Sequence, residues 1–219
     1  MKAFREQNHE RSARPWDETV RGLRRFGIRG FRHLQFTSLL LTRSYWGLTL
    51  ALNWWDVIDE HIFLGGALMF DDLERLRGQG VQAVVNLCAE RRDNQSTLQA
   101  AGIDYLWLPV FDSFPPSIEQ IVQGLAWIDE HMQAQRTVYI HCAAGVGRSA
   151  TLLACWYVYA KGLSVPQVLR FLKTRRPQVT LTRRQIRRVQ EFEYLLLQNM
   201  GKLSDDWGYD VAVRETDAH

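Results

Sequence analysis

Val138-Tyr-Ile-His-Cys-Ala-Ala-Gly-Val-Gly-Arg-Ser-Ala-Thr-Leu152 passes from a short apolar run through five small or apolar residues into a second apolar stretch. The run Thr137–His141 predicts a strand, and the stretch from Arg148 to about Ala160 predicts a helix. Between them, Ala143, Ala144, Gly145, Val146 and Gly147 carry no long polar side chain. Such a loop can curl until successive backbone N–H groups point inward as an anion nest, and glycine permits the φ angles this needs. The helix that follows aims its free N–H groups and positive dipole at the same spot. Arg148 stands where a planar guanidinium grips two oxygens of a phosphate. Cys142, at the loop's entry, lies in that positive field, which favours thiolate. A thiolate beneath a bound phosphate is placed for in-line attack. Ser149 can donate to the sulfur, and His141 can anchor the loop through its ring. Neither a dinucleotide-binding turn nor a nucleotide P-loop fits, for there is no G-x-G-x-x-G and no Lys-Ser/Thr pair.

Outward from this loop, further strands are predicted at Ile62–Leu64, Val81–Leu87 and Ile103–Val110. Helix starts are read at Asp71 with Glu74, and from the capping-box pairs Ser117/Gln120, Ser164/Gln167 and Thr182/Gln185. Gly78 or Gly80, Gly102 and Gly162 mark helix ends. Strands alternating with helices predict an α/β fold: a central, mostly parallel sheet flanked by helices.

Four zones are expected. Residues 1–33 form a basic arm, with nine Lys/Arg against four acids. Residues 34–58 form an apolar segment whose Leu34, Leu41, Tyr45, Leu48, Leu52 and Trp55 share one face of an amphipathic helix. That helix packs on the domain, lies in a membrane interface or spans a bilayer. Residues 59–200 form the α/β domain, and 201–219 an acidic tail. Met1 to Pro15 has no apolar core of a secretory signal. Three cysteines make no disulfide framework, so a reducing setting is expected, intracellular and either cytoplasmic or peripheral at a membrane. No His/Cys/Asp cluster has metal-ligand spacing, and no cofactor is expected.

A leaving alkoxide or phenoxide needs a proton donor. Asp112 follows a predicted strand and precedes Pro115 and the capped helix at Ser117, on a loop where a mobile acid belongs. Glu119 and Asp104 are weaker candidates.

His141-Cys142, five residues, then Arg148-Ser149 resembles the signature of the protein-tyrosine phosphatase superfamily, in its compact dual-specificity branch. The resemblance covers about Trp54 to Phe192. It implies Cys142 as nucleophile, Arg148 as phosphate and transition-state clamp, Asp112 as general acid and then base, and Gln185 as the residue that orients the attacking water. Gln185 also reads as the far half of the capping box with Thr182. Asn86-Leu-Cys-Ala-Glu-Arg91 and Phe111-Asp-x-x-Pro-Pro116 resemble the phosphatase-and-tensin-homologue lipid phosphatases, which implies a redox partnership of Cys88 with Cys142. Trp54-Trp-Asp-Val-Ile-Asp-Glu-His-Ile-Phe-Leu-Gly-Gly66 and Arg176-Pro-Gln-Val-Thr-Leu-Thr-Arg183 resemble the mitochondrial and plant phosphatidylglycerophosphate phosphatases. The loop lacks the basic residues that lipid phosphatases usually carry beside the cysteine, so a monophosphate ester fits better than a multiply phosphorylated headgroup. Arg175, Arg176, Arg183 and Arg184 are read as a basic rim.

These features predict a phosphomonoester hydrolase with a phosphocysteine intermediate. Its substrate is a phosphorylated lipid such as phosphatidylglycerophosphate, or a phosphotyrosine, phosphoserine or phosphothreonine protein. A phospho-binding module without turnover is the other alternative. Peripheral membrane association is expected, and no nucleic-acid partner.

Overall fold

A computed structural model describes residues 37–45, 53–69 and 71–207. Residues 37–45 form a helix, α1, on which Leu41 and Tyr45 are exposed and Thr42 Oγ1 donates to the Ser38 carbonyl. The basic arm 1–33, the stretches 34–36 and 46–52, and residues 208–219 of the acidic tail lie outside the described residues.

The rest is one α/β unit. Its strands are β1 (Trp55–Asp59), β2 (Ile62–Gly65), β3 (Val81–Cys88), β4 (Asp104–Val110) and β5 (Thr137–His141). Its helices are α2 (Asp72–Gly78), α3 (Gln95–Ala100), α4 (Ile118–Gln133), α5 (Arg148–Lys161), α6 (Val165–Arg175) and α7 (Arg183–Trp207). The strand order is β1-β2-β5-β3-β4, antiparallel only between β1 and β2. The expected mostly parallel sheet is thus observed. A sheet covered on both faces needs strands apolar on both sides. In β3, Ala83, Val85 and Leu87 join the core cluster that includes residues of α4–α7, whereas Val81 and Val84 pack in the smaller cluster with Leu76 of α2 and Leu98 of α3.

Two boundaries differ from expectation. The amphipathic helix expected to reach Trp55 does not, because Trp55 opens β1 and pairs with Gly65. Its indole donates to Gln79 Oε1 and its ring meets Tyr139 edge-on. The five-residue edge strand has buried Ile58 and exposed Val57, a pattern too short to separate from one helical turn. At the other end α7 continues past residue 200 to Trp207. Asp71 stands before α2 but makes no side-chain cap bond; Asp72 Oδ2 instead accepts from the Met69 N–H at 3.0 Å. Gly102 and Gly162 end their helices with φ of 71° and 62°.

β5 lies inside the sheet and feeds α5, whose residues Arg148 to Val158 are buried without a break. The loop joining them therefore sits at the C-terminal edge of a parallel sheet, beneath the start of a helix whose first three turns are buried.

Candidate active site

In each planar trans peptide the carbonyl of one residue opposes the N–H of the next. Loop 142–147 is wrapped by donors that take its carbonyls from outside. Ala143 O accepts from Ala67 N at 3.0 Å, and Val146 O from Thr180 N at 2.9 Å. Ala144 O accepts from Arg176 Nη2 at 3.1 Å, and Gly145 O from Arg176 Nε at 2.9 Å. Gly147 O accepts from the Thr151 N–H and hydroxyl, both at 2.8 Å. With these carbonyls drawn outward, the N–H groups of residues 144 to 148 turn toward the inside of the ring. Gly145 has φ of 69°, and an added Cβ would stand 2.3 Å from the Gly65 carbonyl. Only glycine fits there.

Cys142 lies at the base, 2% exposed. The Ser149 hydroxyl donates to its sulfur at 3.3 Å. Burial pushes the thiol up, but the Arg148 guanidinium, the Ser149 hydroxyl and N–H, and the Gly145 N–H together bring it down to about 7. Burial raises the other two cysteines, Cys88 and Cys155, above the usual thiol range. A selective modification follows. The rate of iodoacetamide alkylation at Cys142 is expected to rise tenfold per pH unit at low pH and level off above about 7, with Cys88 and Cys155 unlabelled in peptide mass spectra. A midpoint near the ordinary thiol value would show that the loop does not act on the sulfur.

Arg148 is positioned from several directions. Its Nη1 and Nη2 meet Glu90 Oε2 and Oε1, each at 2.7 Å, and Nη1 also donates to Val110 O at 2.9 Å. This two-point pair fixes the guanidinium plane. Arg148 Nε is buried and has no partner, a donor suited to an oxygen of a bound anion. Asp112 Oδ1 stands 3.2 Å from Nη2 while its side chain is 77% exposed. This carboxylate therefore stands exposed beside the Arg148 guanidinium. The weaker candidates have other partners. Asp104 opens β4, at the opposite end of the strand, bonded to His131 and Arg136. Glu119 lies in the first turn of α4, its carboxylate held below the usual range by its own backbone N–H and by Ser117.

His141 is buried, with a partner at each ring nitrogen. Its Nε2 is 2.8 Å from Asp93 Oδ2 and its Nδ1 is 3.2 Å from Cys142 O. Asn86 Nδ2 also donates to Asp93 at 2.8 Å, and Asn86 Oδ1 accepts from the Cys88 N–H at 2.7 Å. Cys88 thus ends β3 in the network that seats His141. Gln185 is buried between two loops. Its Oε1 accepts from the Thr182 N–H at 2.9 Å, completing the capping box, and its Nε2 donates to Phe114 O at 3.2 Å. A Cβ on Gly147 would come within 3.0 Å of the Gln185 amide.

Three residues of this site were not singled out from sequence: Glu90, Asp93 and, in its actual role, Arg176. Arg176 is not part of a rim. It is fully buried, and besides the two loop carbonyls it bonds Asp56 and the carbonyls of Asn53 and Trp54. Arg183 and Arg184 are exposed, as a rim requires.

Residues 62–194 match the family described as dual specificity phosphatase, catalytic domain. The chain is 32% identical to phosphatidylglycerophosphate phosphatase PTPMT2 of Arabidopsis thaliana over 76% of this chain and 74% of that one. Among solved structures it is similar to Tk-PTP in the active form, with TM-score 0.61 and 29% identity over 64% of this chain and 97% of that one. PTPMT1 in complex with PI(5)P shares the fold, with TM-score 0.64 and 21% identity over 68% and 99% of the two chains.

Proposed function

This chain belongs to the dual specificity phosphatase family and is a cysteine-based phosphatase, and from that premise we propose that it hydrolyses the terminal phosphomonoester of a membrane phospholipid of the phosphatidylglycerophosphate kind. The observation that carries the reading is the ring of braced amides with Arg148 over a sulfur that ionises near neutral pH. The loop residues between Cys142 and Arg148 add no cation, which suits a single phosphomonoester better than a headgroup carrying several.

The Cys142 thiolate attacks phosphorus, a sulfur–phosphorus bond forms and the ester P–O bond breaks. Asp112 gives the leaving oxygen its proton. Water then attacks the phosphocysteine, Asp112 takes back a proton, and the sulfur departs as thiolate, stabilised by the Ser149 hydroxyl. Gln185 holds the acid loop against the phosphate loop, and its second Nε2 hydrogen is assigned to the attacking water. On this reading the enzyme works as a peripheral protein at a membrane surface. No helix among the described residues is long and apolar enough to cross a bilayer.

A substrate panel with one preparation tests the reading. Phosphatidylglycerophosphate in vesicles should exceed phosphoinositides and phosphotyrosine or phosphoserine peptides in kcat/KM by about tenfold or more. Peptides turning over faster than the lipid would overturn it. For Asp112→Asn, kcat should fall by about 10²–10⁴ on alkyl phosphates, the range of a lost general acid. On activated aryl phosphates, whose leaving groups need no proton, it should fall far less. A uniform loss across a leaving-group series would remove Asp112 from the acid role.

Cys88 is proposed as the resolving partner under oxidation. Peroxide converts Cys142 to sulfenic acid, and condensation with the Cys88 thiol forms the disulfide and releases water. Peroxide-treated enzyme should yield a Cys88–Cys142 peptide, reversible by dithiothreitol; its absence in fully inactivated protein would exclude the pairing.

A further inference from the structure

Two phenylalanines flank the acid. Phe111 and Phe114 are 43% and 50% exposed, although each ring belongs in a core by its chemistry. The turn between them places Ser113 at φ of 65°, an unusual conformation for a non-glycine residue. Thr182 and Gln185 bond the carbonyls of Ser113 and Phe114, so the start of α7 lies alongside this loop. Arg184 sits 5.2 Å over the Phe114 ring. Arg183, Arg184 and Arg187 are exposed on the first two turns of α7, and none has a carboxylate within ion-pair distance among the described residues. From Arg175 to Gln190 the chain holds no acidic residue.

We propose that Phe111 and Phe114, with Arg183, Arg184 and Arg187, form the surface by which the active-site mouth sits on an anionic bilayer. The aromatic rings enter the interfacial layer, and the guanidiniums meet lipid phosphates around them. This inference rests on the phospholipid reading and says where the membrane touches. Charge selects the occupant. A phosphoprotein spends its phosphate inside the loop and leaves three further guanidiniums without a partner, whereas an anionic bilayer offers negative charge in every direction around the mouth. The arrangement also places the loop that carries Asp112 against the headgroup to be cleaved.

The test compares full-length wild type with Phe111→Gln/Phe114→Gln and with Arg183→Gln/Arg184→Gln/Arg187→Gln. Each is assayed on a soluble aryl phosphate, on a phosphotyrosine peptide, and on phosphatidylglycerophosphate in phosphatidylcholine vesicles with and without phosphatidylglycerol. Both variants should keep the aryl phosphate rate, which also shows that they fold. On vesicles each should lose about tenfold or more in kcat/KM, and in the arginine variant the gain from added phosphatidylglycerol should vanish. The wild-type gain should shrink with salt. Unchanged vesicle kinetics in either variant would overturn the proposal, as would an equal loss on the peptide, which would make the surface a general substrate lip. A wild type that hydrolyses no lipid in any form would sink the phospholipid reading itself, and is distinguished by its intact activity on the aryl phosphate.

Discussion

Cys142→Ser should abolish turnover while leaving the phosphate site occupied as well as before. The expected loss in kcat is on the order of 10⁴–10⁶, the scale for removing a covalent nucleophile. The sulfur at this position ionises near pH 7 because the Arg148 charge, the Ser149 hydroxyl and two backbone N–H groups offset the cost of its burial. A serine hydroxyl in the same place is a neutral donor with no accessible anion at that pH. Binding has a different source. The amides are turned inward by carbonyl bonds to Ala67, Arg176, Thr180 and Thr151, none of which involves the sulfur, and Arg148 is held by Glu90 and Val110. Loss of the thiolate also removes a negative charge beneath a dianionic ligand. Titration calorimetry with inorganic phosphate should therefore give an affinity unchanged or tighter in the variant. Residual turnover above a hundredth of wild type, about two to four orders of magnitude over the expected level, would show that another group attacks phosphorus. Loss of phosphate binding along with turnover would instead make Cys142 a residue that shapes the loop.

The parts of this site that lie consecutively in sequence were legible there, and the parts that meet only in space were not. Cys142, the loop, Arg148 and Ser149 occupy one strand-loop-helix run whose chemistry requires their spacing, and Asp112 stands on a loop that two prolines and a capped helix delimit. Glu90 and Asp93 follow a strand end as ordinary surface acids would. Only the parallel pairing of β3 with β5, which sets Asn86 beside His141, brings their segment under the loop. Trp55 was assigned to a helix face because a five-residue edge strand has too few positions to declare its period. Arg176 was the most misleading. An Arg-Arg-Pro sequence at a helix end suggests solvent, and the observation that reverses it, a bond to Asp56 across 120 residues of chain, has no local signal. The capping box of Thr182 and Gln185 was read correctly, yet the Phe114 carbonyl that the same amide takes was not visible in it.

Arg176→Met should lower both stability and activity, and it should reach the sulfur from a distance. Arg176 pulls on two of the loop's carbonyls from behind, while its other end bonds Asp56 and the segment before β1. Removal leaves a largely buried carboxylate without its partner, which costs about 3–5 kcal/mol for a broken buried pair and should appear as a lower urea midpoint. It also frees the peptides that follow Ala144 and Gly145 to rotate. The Gly145 N–H, one of the groups that lowers the Cys142 thiol, then no longer has a fixed direction. The alkylation midpoint of Cys142 should move up from about 7 toward the ordinary thiol value, and kcat/KM should fall by about 10²–10³, the scale of a lost amide donor to developing charge. Arg176→Lys separates the two roles. An ammonium can answer Asp56 but cannot place two donors on neighbouring carbonyls. It should recover much of the stability and little of the thiol shift. If both variants fold yet keep a midpoint near 7 and wild-type kcat/KM, the loop holds its curvature without Arg176, and the bracing carbonyl bonds are not what aims the amides.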